Sequence, residues 1–241
     1  MGLRLVNYCF NCWKMTWWFE MKRAVVLSHR EVAHELGNIG SWFELRGYEV
    51  VNIYREDSPV SLEDVGGDIL FVLGSPNSVA DGFCLAPAQH EIELVRRWVA
   101  SNRPYVGICF GAQVLACALG GSVRRMDNTF RALTDMTLTP SAPEVVQGSW
   151  AVWHEDAITA PASAEVFARL PHADTFFRQE NAWGIQPHIE LTSDIVERLA
   201  TTFKVDTPDV AALVDGLHEN DEQHSQRAHQ LLDFIIENST S

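Results

Sequence analysis

The chain has 241 residues, of which 46% are hydrophobic and 21% are charged, as in an ordinary globular protein of one large domain or two small ones. Its formal net charge of −14 leaves no excess of cations to replace counterions, which disfavours nucleic acid and anionic membranes as partners. No apolar run has transmembrane length, and five cysteines at low density imply no disulfide framework, which favours a reducing, cytoplasmic location.

Residues 1–21 differ in composition from the rest of the chain. They crowd together three tryptophans and two cysteines, and Cys9 and Cys12 form a lone Cys-x-x-Cys. That pair lacks the second pair of a zinc site and the strand–helix context of a redox motif. We hypothesise that 1–21 is an atypical N-terminal extension that is not native, that Met21 is the natural start, and that one domain spans 22–238.

Strand and helix patterns alternate between residues 22 and 121, which predicts a parallel sheet with right-handed crossovers. The predicted strands are 22–28, 48–54, 68–73 and one that begins at Pro104. The predicted helices are 29–46, 87–101 and one that runs from Phe110 to the Gly120-Gly121 stop, with a short helical turn at 62–65.

The middle of the chain has a different pattern. Short strands with proline-containing connections predict an added, more antiparallel layer before residues 182–186 return to the sheet. These short strands are 122–125, 133–138, 145–153 and 175–177, and the predicted closing helices are 193–204 and 222–238. The predicted fold class is α/β, with a mostly parallel central sheet flanked by helices and a small antiparallel added layer.

Cys109 lies between a predicted strand and a predicted helix, with Gly107 and Gly111 two residues away on either side. Gly-x-Cys-x-Gly is the nucleophile-elbow pattern with cysteine in place of serine, and the tight turn requires glycine at the flanking positions. The alternative is a buried core cysteine, since free cysteine is among the most buried residue types. A nearby base decides between these interpretations.

The strand 182–186 leads into His188, and Glu190 follows two residues later. A histidine at a strand end can take the thiol proton, and a carboxylate can fix its tautomer. Of the nine histidines, only His154 is a serious rival, and spacing alone gives His188 a modest advantage. The turn at Gly74-Ser75, after the third strand, could supply an oxyanion donor or be an ordinary loop.

Four segments resemble the class I glutamine amidotransferases, and the resemblance runs from about residue 22 to residue 238. They are GICFGAQ at 107–113, GIQPHIE at 184–190, LGSPNSV at 73–79 and WHED at 153–156. The chain looks most like the free-standing branch that is similar to the amidotransferase part of GMP synthase. The resemblance implies hydrolysis of the glutamine side-chain amide through a γ-glutamyl thioester.

The resemblance also implies roles for three side chains. Cys109 would be the nucleophile, His188 the base and Glu190 the group that orients the base. The sequence departs from the usual motif, which has proline after the histidine, since Pro187 here precedes it and Ile189 follows.

The oxyanion hole implied by the resemblance uses the backbone N–H of Phe110 and one from Gly74 or Ser75. Gln113 matches a family position that contacts the bound glutamine. Position 75 is serine where glycine is usual, and 127–131 lacks the glycine-containing segment that holds the glutamine main chain in many relatives.

Three functions remain open at this point. The first is a glutamine-hydrolysing amidotransferase that passes ammonia to a separate ATP-dependent synthetase or releases it, since no P-loop motif is present. The second is a γ-glutamyl hydrolase or peptidase that acts on γ-glutamyl amines or peptides. The third is a non-catalytic binding protein on the same scaffold. No cofactor is predicted, and no ligand-spaced cluster predicts a metal site.

Overall fold

An eight-stranded sheet runs through the computed structural model, which describes residues 22–57, 59–61 and 65–239. The predicted extension at 1–21 and most of the predicted turn at 62–65 lie outside these ranges. Within them the strands are β1 (Arg23–Ser28), β2 (Glu49–Tyr54), β3 (Ile69–Val72), β4 (Tyr105–Ile108), β5 (Ser122–Thr134), β6 (Thr137–Leu138), β7 (Trp150–Thr159), β8 (Glu165–Leu170), β9 (Ala173–Gln179) and β10 (Ala182–Ile185).

Five neighbouring strands of this sheet are parallel, in the order β2–β1–β3–β4–β10. The sheet continues antiparallel through β9, β8 and β6, while β5 and β7 form a separate two-stranded antiparallel sheet. The α/β fold class with its parallel centre and small antiparallel part is therefore confirmed.

The antiparallel strands belong to two sheets, whereas the sequence predicted that they form one added layer. Only two residues separate β9 from β10, so the chain reverses in a tight hairpin and β9 joins the main sheet. Residues 122–125 and 133–134 are the two ends of one strand, β5, while β7 begins only at Trp150. Strand β8 was not predicted.

The helices of the described chain are α1 (Gly37–Arg46), α2 (Ala86–Ala100), α3 (Phe110–Ala118), α4 (Ser193–Phe203) and α5 (Pro208–Ser239). The predicted helix at 29–46 is instead a 3-10 turn at Arg30–Val32 followed by α1. The chain bends at Gly37, whose φ is +44° and whose added Cβ would lie 1.9 Å from the carbonyl oxygen of Glu190. Helix α5 begins fourteen residues before its predicted start at 222.

Apolar side chains cover both faces of the main sheet. Successive residues of β3 point to opposite faces, so Phe71 packs in the cluster that includes α1 and α5, and Leu70 and Val72 pack with α2 and α3. No helix of the described residues is long and apolar enough to cross a lipid bilayer. The sheet is thus held between two helical layers, with the carboxyl ends of β3, β4 and β10 side by side.

Candidate active site

The predicted site residues follow three adjacent strands. Gly74 lies just after β3, Cys109 directly after β4, and His188 just after β10. Because these strands are parallel neighbours, their carboxyl ends meet at one edge of the sheet, where α/β folds place ligand sites.

Cys109 occupies a strained turn between β4 and α3. Its φ of +50° and ψ of −105° are unusual for a residue with a side chain. Its amide donates to the carbonyl oxygen of Ile185 at 2.8 Å, which ties the turn to β10. An added Cβ on Gly107 would lie 2.5 Å from the Gly111 carbonyl, and one on Gly111 would lie 2.0 Å from the Val72 carbonyl oxygen. Both positions therefore require glycine, and Gly111 does so because of the neighbouring strand.

The His188 ring faces a hydrogen-bond acceptor at each nitrogen. Nδ1 lies 2.7 Å from Oε1 of Glu190, and Nε2 lies 3.2 Å from the carbonyl oxygen of Trp153. A ring that meets two acceptors is satisfied by a proton on both nitrogens, which is the imidazolium form. Burial lowers the pKa of His188, but the Glu190 carboxylate and the Cys109 sulfur outweigh burial and raise this pKa well above its usual value. The geometry favours a positively charged ring beside the sulfur.

The sulfur of Cys109 lies in the same place. Its Sγ is 3.7 Å from the Trp153 carbonyl oxygen, so one carbonyl contacts both the thiol and the imidazole. An added Cβ on Gly74 would lie 3.0 Å from Cε1 of His188 and 3.8 Å from Cβ of Cys109. The structure thus brings the predicted thiol, imidazole, carboxylate and glycine turn together.

The segment that carries the imidazole and the carboxylate is fixed by α1. The backbone N–H of Asn38 donates to the carbonyl oxygen of Glu190 at 3.1 Å. Its side-chain amide donates to the carbonyl oxygens of Ile189 and Leu191 at 3.0 and 3.3 Å. These bonds hold the turn at residues 188–191, although Pro187 precedes the histidine here and does not follow it as in the usual motif.

The Gly74-Ser75 turn has free amides and a tethered hydroxyl. Within the described residues, neither amide N–H donates to a protein acceptor. Oγ of Ser75 lies 2.8 Å from Nε2 of His29, and Nδ1 of the same ring lies 2.9 Å from Oε1 of Glu56. The Ser75 Oγ also accepts a hydrogen bond from the backbone N–H of Asn77 at 3.0 Å. The serine that departs from the family pattern is therefore part of a hydrogen-bonded chain.

Gln113 lies in the first turn of α3 and lines the cavity beside the cysteine. It is buried, and its amide Nε2 lies 3.4 Å from Oε1 of Gln186. The structure thus places it near the predicted nucleophile, where a bound molecule could reach it.

His154, the rival base, also lines the cavity but has another partner. Its Nε2 lies 3.0 Å from Nε2 of His172, and no hydrogen bond in the described chain joins it to Cys109 or Glu190. Burial, followed by the charges of His172 and His188, lowers the pKa of His154 to about 3. The geometry therefore selects His188 as the candidate base.

A cavity of about 390 Å³ opens at these residues, a volume in the ~300–1,000 Å³ range of small-molecule sites. It extends beyond the cysteine to an apolar wall of Leu199, Phe203 and Val205. The described residues contain no group of three or more His, Cys, Asp or Glu side chains that could hold a metal ion.

Sequence reasoning missed two features of this site. The Trp153 carbonyl and the Asn38 amide touch the predicted residues through backbone or long-range contacts. The WHED segment at 153–156 indicated that Trp153 belongs near the site, but it did not reveal that its main-chain carbonyl oxygen would make the contact. Nothing in the pattern around Asn38 indicated the second.

A comparison with protein families decides which family this arrangement belongs to. The model of "Glutamine amidotransferase class-I" matches residues 31–195, which is more than half of the chain and includes all of the predicted site residues. The chain belongs to the class I glutamine amidotransferase family. The resemblance inferred from the motifs and the predicted enzyme class are thereby confirmed.

Several known proteins are similar to this amidotransferase. GMP synthase [glutamine-hydrolyzing] of Porphyromonas gingivalis is 35% identical over 157 residues, which are 61% of the chain and 29% of that protein. The carbamoyl phosphate synthase small chain of Halobacterium salinarum is 31% identical over 104 residues, 43% of the chain and 28% of that protein. The matched regions thus span less than a third of the length of these relatives.

A solved glutamine amidotransferase from Thermotoga maritima shares the fold of this amidotransferase. It matches with a TM-score of 0.75 at 20% identity and covers 91% of this chain and 99% of its own. A glutamine amidotransferase from Methylobacillus flagellatus matches with a TM-score of 0.69 at 21% identity, over 90% and 95% of the two chains. At these identities the likeness establishes the fold alone.

Proposed function

We propose that the protein hydrolyses the γ-carboxamide of glutamine with Cys109 as nucleophile, His188 as base and Glu190 as the group that orients the base. The observation that carries the proposal is the position of the His188 ring beside the sulfur. Its two nitrogens lie within hydrogen-bond distance of Glu190 Oε1 and of the Trp153 carbonyl oxygen. An imidazolium held there stabilises a thiolate and has a proton ready for the leaving group.

In the proposed first half-reaction, the Cys109 thiolate attacks the γ-carbonyl carbon, and the carbonyl electron pair moves to the oxygen. The N–H groups of Phe110 and of Gly74 or Ser75 receive this oxyanion. When the C–N bond breaks, His188 gives its Nε2 proton to the departing nitrogen, which leaves as ammonia. The acyl group remains on sulfur as a γ-glutamyl thioester.

In the second half-reaction, neutral His188 takes a proton from water as the water attacks the thioester. The C–S bond breaks, glutamate leaves, and the thiolate–imidazolium pair is restored. Gln113, buried one helical turn after the cysteine, is proposed to contact the bound glutamine.

The ammonia is proposed to pass to a separate ATP-dependent synthetase or to solvent. One observation supports a synthetase as the recipient: the similar proteins are named GMP synthase [glutamine-hydrolyzing] and carbamoyl phosphate synthase small chain, and the matched regions are less than a third of each protein. Where such a partner exists, it is expected to increase the rate of ammonia formation.

A second candidate is hydrolysis of a larger γ-glutamyl amide or peptide by the same residues. The cavity favours it, because the apolar wall of Leu199, Phe203 and Val205 suits an amine with a hydrocarbon part. Ammonia release from glutamine and amine release from γ-glutamyl-p-nitroanilide distinguish the two candidates. The non-catalytic alternative predicts neither product.

The test uses the full chain, glutamate and ammonia assays, and a glutamine-like diazoketone that alkylates a reactive thiol. We expect the reagent to label Cys109, and Cys109→Ala to abolish both labelling and turnover. Cys117→Ala is the matched control, because Cys117 lies on α3 outside the cavity lining, and it should behave like the wild type. Turnover that survives Cys109→Ala, or a wild type that forms none of the products with or without a synthetase, would refute the proposal.

A further inference from the structure

Arg55 is buried against the Gly74-Ser75 turn. It lies in a 3-10 turn after β2, and its side chain is only 2% exposed. Its Nε donates to the carboxylate of Glu91 at 2.9 Å. Its Nη2 donates to the carbonyl oxygen of Leu73 at 2.7 Å, and its Nη1 to that of Gly74 at 3.1 Å. One guanidinium thus holds two consecutive carbonyls of the turn beside the cysteine.

These two bonds fix the direction of the amides that follow. In a trans peptide the C=O and N–H groups point in opposite directions. The carbonyl of Leu73 shares its peptide with the N–H of Gly74, and the carbonyl of Gly74 shares its peptide with the N–H of Ser75. Both N–H groups therefore point away from Arg55, and within the described residues neither meets a protein acceptor.

The guanidinium also contacts the second segment of the proposed oxyanion hole. Cζ of Arg55 lies 5.0 Å from the centre of the Phe110 ring, within the range of a cation–π contact. Phe110 is the first residue of α3, so its N–H has no partner within the helix. Arg55 thus touches both segments that would supply oxyanion donors.

We propose that Arg55 is a positioning residue that sets the oxyanion hole in its working orientation before a substrate binds. The inference rests on the proposed function, since it assumes that a tetrahedral oxyanion forms at Cys109. Glu91 fixes the plane of the guanidinium, and the planar fork then holds both carbonyls. A lysine ammonium cannot reproduce this fork. Donors that are oriented in advance need no reorganisation during the reaction.

Two variants separate this role from a role in folding. Arg55→Lys keeps the charge beside Glu91 but loses the fork. The double variant Arg55→Met/Glu91→Met removes the whole buried pair and so leaves no unpaired charge, a replacement that proteins often tolerate. Arg30→Met is the control, because Arg30 pairs with Asp57 on the surface and is 55% exposed.

The readout compares two reactions of the same sulfur. Acylation by p-nitrophenyl acetate joins Sγ to the acyl carbon, passes through a tetrahedral oxyanion and expels p-nitrophenolate. Alkylation by iodoacetamide joins Sγ to a saturated carbon and expels iodide, so no oxyanion forms. Mass spectrometry of the Cys109 peptide assigns both products, and kcat and KM for the hydrolysed γ-glutamyl substrate are measured alongside.

We expect the double variant to lose about 10²-fold in acylation rate and in kcat, the size of effect that follows loss of one oxyanion donor. The loss in Arg55→Lys should be smaller, about 10-fold on the same basis. The alkylation rate should stay within about 3-fold of the wild type, since it does not depend on an oxyanion donor. Arg30→Met should match the wild type throughout.

Unchanged acylation in a folded double variant would overturn the inference. A parallel fall in acylation and alkylation would also overturn it, because Arg55 would then support the cysteine itself. A wild type that is acylated but hydrolyses no γ-glutamyl compound would refute the proposed function alone. The change in acylation rate relative to alkylation rate in the variants would still decide the role of Arg55. A wild type that is neither acylated nor able to hydrolyse a γ-glutamyl compound would refute both. Where only the γ-glutamyl substrate reacts, its kcat compared with the alkylation rate decides the role of Arg55.

Discussion

His224 provides a test of how the buried face of helix α5 responds to acid. Its side chain is fully buried, and its ring packs edge-on against Trp150 with 5.5 Å between the ring centres. Burial, with a smaller contribution from the charge of Arg227, lowers the pKa of His224 to about 4. The perturbation is His224→Leu, which removes the titrating group and keeps a side chain of similar size.

The sign follows from which state binds the proton. An unfolded histidine, with a pKa near ~6.5, takes up a proton as the pH falls below that value, whereas folded His224 stays neutral until about pH 4. The folded state therefore loses stability as the pH falls through this window. Between pH 7 and pH 5 the unfolded state gains most of one proton, and about 1.36 kcal/mol per pH unit over roughly 1.5 units gives a loss of ~2 kcal/mol.

The assay is urea unfolding at pH 7 and pH 5, with the difference in unfolding free energy as the result. This difference should be about 2 kcal/mol smaller in His224→Leu than in the wild type, whatever the substitution does to stability at pH 7. His218→Leu is the matched control, since His218 is exposed on the same helix and its substitution should change the difference by less than ~0.5 kcal/mol. Equal pH dependence in the wild type and His224→Leu would refute the reasoning.

Two further predictions concern the candidate site and its turn. Glu190→Gln should lower kcat by ~10²–10⁴-fold, because the ring of His188 loses its orienting carboxylate. The same variant should move the alkaline limb of the pH–rate profile to lower pH, because Glu190 raises the pKa of His188; an unchanged kcat and profile would contradict the assignment. Gly111→Ala should lower the free energy of unfolding, measured by urea titration, by several kcal/mol, because its Cβ would lie 2.0 Å from the Val72 carbonyl oxygen. Gly66→Ala, with nothing within 4 Å of its Cβ, is the control, and equal losses in the two variants would contradict the packing argument.

Local patterns in the sequence predicted much of the fold. The alternation of apolar strands with amphipathic helices predicted the parallel centre, and the two glycines around Cys109 predicted the sharp turn. The predicted ends of two helices were wrong, in places where the helix contacts residues far away in the chain. At Gly37, where α1 begins, the chain passes so close to the Glu190 carbonyl that a side chain would collide with it, and α5 has buried residues from Val210 to Ser239. The roles of the proposed catalytic residues stay predictions.

The sequence by itself determined which groups could react, because a thiol on an elbow and an imidazole two residues before a carboxylate are properties of local order. The tertiary structure decided which groups meet. It placed His188 rather than His154 beside the sulfur, brought the Trp153 carbonyl to both, and buried Arg55 against the Gly74 turn. These contacts join segments far apart in the chain, and they depend on strand order and main-chain direction, for which short patterns carry no signal.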